Sequence, residues 1–210
     1  IVNIRADIRQ MGFPGWLSYS AGRLLQRISG GRLKFAVVDF YLQPMGESFR
    51  KLPAPTSSIR VEPIGQEQMD PEQFERRADV LDTRVAEESV CIAAMRNDEL
   101  MGFMWLHFGV FHDRDLELLL KAGARQDLAW DFDMFIKPKY RLGPTFARLW
   151  SEAQTQLLHR GCTGTLSWVR LENGASRRAH ARLGATLMGR AALLSLGRYQ
   201  LTVSTIRPWL

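Results

Sequence analysis

The stretch from residue 128 to residue 160 constrains the fold more than any other. An apolar run rich in β-forming residues, Leu128-Ala-Trp-Asp-Phe-Asp-Met-Phe-Ile136, stops at Pro138. A basic turn follows, Lys139-Tyr140-Arg141-Leu142-Gly143, and from Pro144 onward apolar residues recur at Phe146, Leu149, Trp150, Ala153, Leu157 and Leu158. That spacing is helical. Proline suits a first helical position, where its missing N–H would have had no partner, and Gly161 ends the helix where a left-handed cap is expected. A strand feeding through a basic, glycine-containing turn into a helix start makes an anion site. The unpaired N–H groups and the positive end of the helix dipole face the same incoming phosphate.

Around this junction the order of elements is regular. Residues 11–29 predict a helix with Leu17, Ala21, Leu24, Leu25 and Ile28 on one stripe, Arg23 and Arg27 on another face, and Gly30-Gly31 as its stop. Such a helix either packs on the protein body or lies, basic and amphipathic, on a membrane or partner surface. A β-rich run, 35–42, follows and reads as an added strand or hairpin partner, and Lys51-Leu-Pro-Ala-Pro-Thr-Ser-Ser58 has the composition of a linker. The expected division is therefore an N-terminal extension over 1–58 and a core domain over 59–210. In the core, strands are expected at 59–64, 90–95, 100–108, 128–136, 164–171, 186–196 and 199–204. Helices are expected at 71–88, 144–160 and 174–183, the first with Phe74, Ala78, Leu81 and Val85 on its apolar stripe. The segment 110–126 reads as a loop or part of a further strand. The order gives a mixed α/β sheet of about six or seven strands flanked by helices.

Charge and cysteine usage narrow the setting. A net charge of +6 favours anionic partners, but the arginines are spread through the chain, unlike the blocks that bind nucleic acid. Cys91 and Cys162 lie far apart in apolar, strand-like surroundings and read as buried free thiols in a reducing, cytoplasmic protein, with peripheral membrane contact through residues 11–29 as the open variant. No run approaches the roughly 18 apolar residues of a membrane span. No metal-ligand spacing, phosphate-binding P-loop or serine-hydrolase elbow occurs.

Two blocks carry a family resemblance. Ile136-Lys-Pro138-Lys-Tyr140-Arg141-Leu-Gly143-Pro144-Thr-Phe146 and Asn173-Gly-Ala-Ser176-Arg-Arg-Ala-His180-Ala-Arg-Leu183-Gly184-Ala185 resemble, in residues and spacing, two motifs of the GCN5-related N-acetyltransferases. Similarity in element order extends over 59–204. The resemblance implies a mostly antiparallel, acetyltransferase-like sheet. It also implies acyl-CoA as co-substrate, with phosphates at the start of the 144–160 helix and no metal. By the same resemblance Phe135, Ile136, Arg141, Leu142, Gly143, Thr145, Phe146, Asn173 and Ser176 are the cofactor-binding set. Pro144 and Phe146 stand where the family has small residues that let backbone N–H groups approach a pyrophosphate.

Acyl transfer to an amine needs a base, donors for the developing oxyanion and an acid for the departing thiolate. His180 falls where the resemblance puts an acidic tyrosine, and imidazole exchanges protons near neutral pH; the alternative is a packed helix-face histidine. Asp131 and Asp133 alternate with Trp130, Phe132 and Met134, which predicts both carboxylates on one face. They are either solvated or paired with arginines, or they line an acceptor pocket, and Asp133, nearer the turn, is the preferred base. His107 is a second candidate base or a satisfied core histidine, while His112 and His159 read as surface residues. Asn173 reads as a helix N-cap, and Arg177 and Arg178 either reach phosphates or remain solvated. The expected activity is direct N-acetyl transfer from acetyl-CoA to a small-molecule or peptide amine. The rivals are a larger or aminoacyl-tRNA donor and a degenerate binding module.

Overall fold

The computed structural model describes residues 4–45, 58–122 and 125–206; most of the expected linker, 51–57, lies outside them. The chain forms two compact units, one of Ile1–Gln43 with Ser167–Leu210 and one of Pro44–Leu166.

In the unit Pro44–Leu166, β2 (Arg60–Ile64), β3 (Val90–Arg96), β4 (Glu99–Phe108) and β7 (Leu128–Ile136) are successive antiparallel neighbours. Asn97 and Asp98 join β3 to β4 with φ of 48° and 63°, the left-handed pair that a tight two-residue hairpin turn demands. The segment 110–126 contains a small hairpin of β5 (Phe111–Asp113) and β6 (Leu118–Leu120). The helix expected over 71–88 is in two pieces, α3 (Pro71–Phe74) and α4 (Ala78–Ala86). Asp70 caps α3 by accepting from the Glu72 N–H at 3.0 Å, and Glu75 breaks the run at φ 53°. Phe74 and Leu81 still reach the core, with Cys91, Ala93, Leu100, Phe103 and Trp105. Each such side chain, fully buried, contributes about 1.5–3 kcal/mol. On the opposite sheet face Ile92, Ala94, Met104 and Leu106 are fully buried. The helix α5 (Thr145–His159), which packs against β2, β3, β4 and β7, carries buried Leu149, Trp150, Ala153 and Leu157.

In the other unit, α1 (Ile4–Met11) and α2 (Phe13–Ile28) precede β1 (Leu33–Pro44). The strand β8 (Gly164–Arg170) ends here, followed by α6 (Gly174–Arg182), β9 (Thr186–Leu196) and β10 (Tyr199–Ser204). The strand β1 pairs antiparallel with β9 from Leu33↔Leu196 to Leu42↔Thr186, and β9 forms a hairpin with β10. Asp39 of β1 is fully buried opposite Arg190 of β9, which holds it with two hydrogen bonds of 2.6 and 3.2 Å. A buried carboxylate needs this compensation.

Strand order is β10-β9-β1-β8-β7-β4-β3-β2. The sheet is mixed and mostly antiparallel, as the resemblance implied, but has eight strands instead of six or seven. The added member is β1, which the linker composition had suggested belonged to an extension. Its apolar residues find partners far along the chain in β9, a pairing that local pattern cannot reveal.

The helix α2 sits opposite to the simplest reading of its stripe. Gly15 and Gly22 face the protein: a Cβ on Gly15 would lie 2.6 Å from the Leu171 carbonyl oxygen, and one on Gly22 3.0 Å from that of Phe35. The backbone approaches so closely that only hydrogen fits. The large apolar side chains consequently point outward.

Candidate functional site

Within β7 the antiparallel register to β4 slips: Trp105 faces Phe132 but Phe103 faces Phe135. One extra residue is accommodated there as a β-bulge, and Asp133 takes φ 43°, a left-handed value that aspartate tolerates better than most residues. On the other edge, β7 pairs in parallel with β8 from Leu128↔Gly164 to Trp130↔Leu166. Beyond that register, 131–136 are paired on one edge only, to β4. Backbone donors and acceptors on the opposite edge of this segment, which includes Phe135 and Ile136, have no ladder partner in β8.

The bulge corrects the expectation that Asp131 and Asp133 share a face. Phe132 and Phe135, three residues apart, both pack against the same core cluster, so alternation fails between them. The Asp133 carboxylate turns to that same side. Arg76 donates to it through Nε at 2.9 Å and Nη2 at 2.5 Å, and Arg84 through Nη1 at 2.6 Å. The Arg76 guanidinium lies over Phe103 and Phe135, and that of Arg84 over Trp105 and Phe132. Its hydrogen bonds to the Asp133 carboxylate raise the Arg76 pKa above its usual value, against the effect of burial. A carboxylate receiving three guanidinium hydrogen bonds is a structural anchor more readily than a base. Neither arginine was singled out in the sequence. The break at Glu75 puts Arg76 between α3 and α4, where it reaches the strand, while Arg84 reaches it from α4.

After β7, a 3₁₀ turn (Pro138–Tyr140) leads to α5. Glu99 ties it down, accepting from Tyr140 Oη at 2.6 Å and pairing with Lys139. Hydrogen bonds from Lys139 and then Tyr140 hold Glu99 below the ordinary carboxylate range. Arg141 Nε donates to the Ile136 carbonyl at 3.0 Å, and Arg141, Leu142 and Gly143 are exposed. Pro144 is the N-cap, one position before the place its sequence context suggested, and its carbonyl accepts the Arg148 N–H at 3.0 Å. The N–H groups of Thr145, Phe146 and Ala147 therefore precede the helical ladder, and no acidic side chain stands in the first turn. Thr145 is fully buried, and its hydroxyl has no hydrogen-bond partner among the described residues. Phe146 is half-buried.

The second motif lies in the unit of Ile1–Gln43 with Ser167–Leu210. Asn173 caps α6, its Oδ1 accepting from the Ser176 N–H at 3.1 Å. His180 is buried and stacks on Tyr41 of β1, with ring centroids 5.2 Å apart and planes 8° from parallel. Its Nδ1 has no hydrogen-bond partner among the described residues. Arg177 and Arg178 are not free for phosphates. Arg177 Nε stands 3.2 Å from Asp39, and Arg178 donates to the Gln10 carbonyl at 3.3 Å. His107 is satisfied at both ring nitrogens: Nε2 lies 2.9 Å from the Val110 carbonyl, to which it must donate, so Nδ1 accepts from Ser89 Oγ at 3.0 Å. His112 and His159 are exposed, and both cysteines are free and buried, with burial pushing the Cys91 thiol up.

The profile of the "Acetyltransferase (GNAT) family" matches residues 52–185. No curated protein matches the chain. Among solved structures, the chain is similar to a conserved protein of unknown function from Staphylococcus epidermidis. The TM-score is 0.57 at 8% identity, over 83% of this chain and 67% of that one. It is also similar to a tandem GNAT protein of the clavulanic acid biosynthesis pathway (0.52, 12%, 81% and 54%). A third similar structure is a Novosphingobium aromaticivorans protein assigned to the GNAT acetyltransferases (0.50, 15%, 79% and 66%). The chain thus spans about half to two thirds of these proteins' lengths. At such identities the likeness is one of fold.

Proposed function

The chain belongs to the acetyltransferase (GNAT) family, and from that premise we propose that it is an acyl-CoA-dependent transferase that passes acetyl directly to an amine, carried by a small molecule or peptide. One observation carries the reading: the start of α5 combines N–H groups ahead of the helical ladder, a first turn without acids and an exposed cationic turn. These suit a pyrophosphate, and the buried Thr145 hydroxyl, with no partner among the described residues, adds a donor at the same place. Arg141, Leu142, Gly143, Thr145 and Phe146 would hold the phosphates, and the one-sided edge of β7 at Phe135 and Ile136 would hold the pantetheine amides. The resemblance adds Asn173 and Ser176 to the binding set. Bound acetyl-CoA supplies an activated thioester. Of the chain's own groups, His180 is proposed to deliver a proton from its Nδ1 to the departing sulfur, while the attacking amine gives up its proton to solvent water. Asp133 acts as a positioning residue that fixes the bulge through Arg76 and Arg84.

The test is a thermal-shift titration with acetyl-CoA and longer acyl-CoAs. At 100 times its dissociation constant a ligand stabilises by about 2.7 kcal/mol, or roughly 5–11 °C for a chain of this size. No shift with any acyl-CoA would overturn the proposal. If a shift is found, His180→Ala should lower turnover while acyl-CoA affinity is kept. The second reading, a module that binds a ligand without chemistry, draws on Pro144, which offers no N–H, and Phe146, which adds bulk. Acyl-CoA binding with no thiol release across a panel of amines would favour it.

A further inference from the structure

The outward stripe of α2 has a chemistry that the transferase reading leaves unused. At 100° per residue, Phe13, Leu17, Leu24 and Ile28 fall within about 60° of one another. They are 59, 53, 60 and 69% exposed. Gly15, Ser18 and Gly22 occupy the opposite side, where Gly15 and Ser18 are buried. A helix stabilised only by burying its own apolar face would sit the other way round. Here the small residues dock and the large ones are presented.

Charge narrows the occupant. The helix Phe13–Ile28 carries Arg23 and Arg27 and no acidic residue. Both arginines are exposed and lie along one side of the apolar stripe. An apolar ridge bordered by arginines matches the two layers of an anionic bilayer: acyl chains for the ridge, headgroup phosphates for the arginines. Among the described residues no helix is long and apolar enough to cross a membrane, so the contact would lie in the interface.

We propose that α2 docks this protein on anionic lipid membranes, inserting Phe13, Leu17, Leu24 and Ile28 between headgroups while Arg23 and Arg27 pair with lipid phosphates. The full chain should co-sediment with phosphatidylcholine vesicles containing about a third phosphatidylglycerol, and much less with phosphatidylcholine alone. Arg23→Gln with Arg27→Gln should weaken binding to the anionic vesicles roughly 25-fold, about fivefold per charge, and raising salt should do likewise. Leu17→Ser with Leu24→Ser should lower it at least about tenfold, from the loss of two inserted side chains. Both double variants change exposed positions, so melting temperature and acyl-CoA shift should stay at wild-type values. Equal sedimentation with both vesicle types, or none with either, would overturn the proposal. So would a wild-type dimer that Leu17→Ser with Leu24→Ser converts to monomer, since the ridge would then be an interface between two copies.

Discussion

Neutralising Asp133 tests the anchoring of β7 most directly. In Asp133→Asn the side chain keeps its shape and one acceptor oxygen, but the guanidiniums of Arg76 and Arg84 lose their counter-charge. The three side chains are only 28, 17 and 18% exposed for Arg76, Arg84 and Asp133. Removing one partner of a buried ion pair costs about 3–5 kcal/mol. The residual exposure and the retained oxygen reduce this to roughly 2–4 kcal/mol, a fall of about 4–16 °C in melting temperature. The backbone gives a second handle. At φ 43°, alanine is strained and glycine is not, so Asp133→Gly should be about 1 kcal/mol more stable than Asp133→Ala. Denaturant unfolding followed by circular dichroism measures all three. Arg84→Gln should lose stability in parallel, and Asp133→Asn with Arg84→Gln should lose less than the sum. An Asp133→Asn protein within about 0.5 kcal/mol of wild type would refute the anchor. So would intact stability and acyl-CoA affinity with a collapsed turnover, which would return Asp133 to the role of base.

Acid should act on the turn before α5. Glu99 is held low by Lys139 and Tyr140, so its contribution is present above the unfolded carboxyl value, about 4.3, and is lost as pH falls through the lowered folded value. Thermal unfolding followed downward from neutral pH should show an acid-dependent loss below about pH 4, smaller in Glu99→Gln. Gly174→Ala should cost about 1–3 kcal/mol despite alanine's better helix propensity, because the new Cβ would lie 2.1 Å from the Gln10 carbonyl oxygen. Limited proteolysis should then cut within Ile4–Met11 before any global unfolding.

Much of the architecture was readable because it is written locally. The strand–turn–helix of 128–160, the Asn173 cap, the β3–β4 hairpin and the closing pair β9–β10 each have their signals within a few residues of one another: alternation, a proline, a left-handed turn, a side-chain oxygen before a helix. Helix α3–α4 was half legible, since its apolar stripe is real but Glu75 interrupts it. The candidate site was less legible. Local alternation put Asp131 and Asp133 together, and it fails wherever a strand carries an extra residue that its partner lacks. The bulge depends on the register with β4, and Asp133's partners lie 57 and 49 residues away.

The same division holds for the chain as a whole. Period, turn chemistry and the spacing of two motifs are short-range properties, and from them the element order, the family resemblance and the helix start after a basic turn could be read without coordinates. Which strands become neighbours, which face of α2 docks and where each arginine ends depend on contacts between distant segments, whose energies no local pattern contains. The strand β1 entered the sheet because β9 could pair with it. Asp133 turned inward because Arg76 and Arg84 met it there. Phe13, Leu17, Leu24 and Ile28 face outward because glycines let the other side of their helix approach the protein more closely.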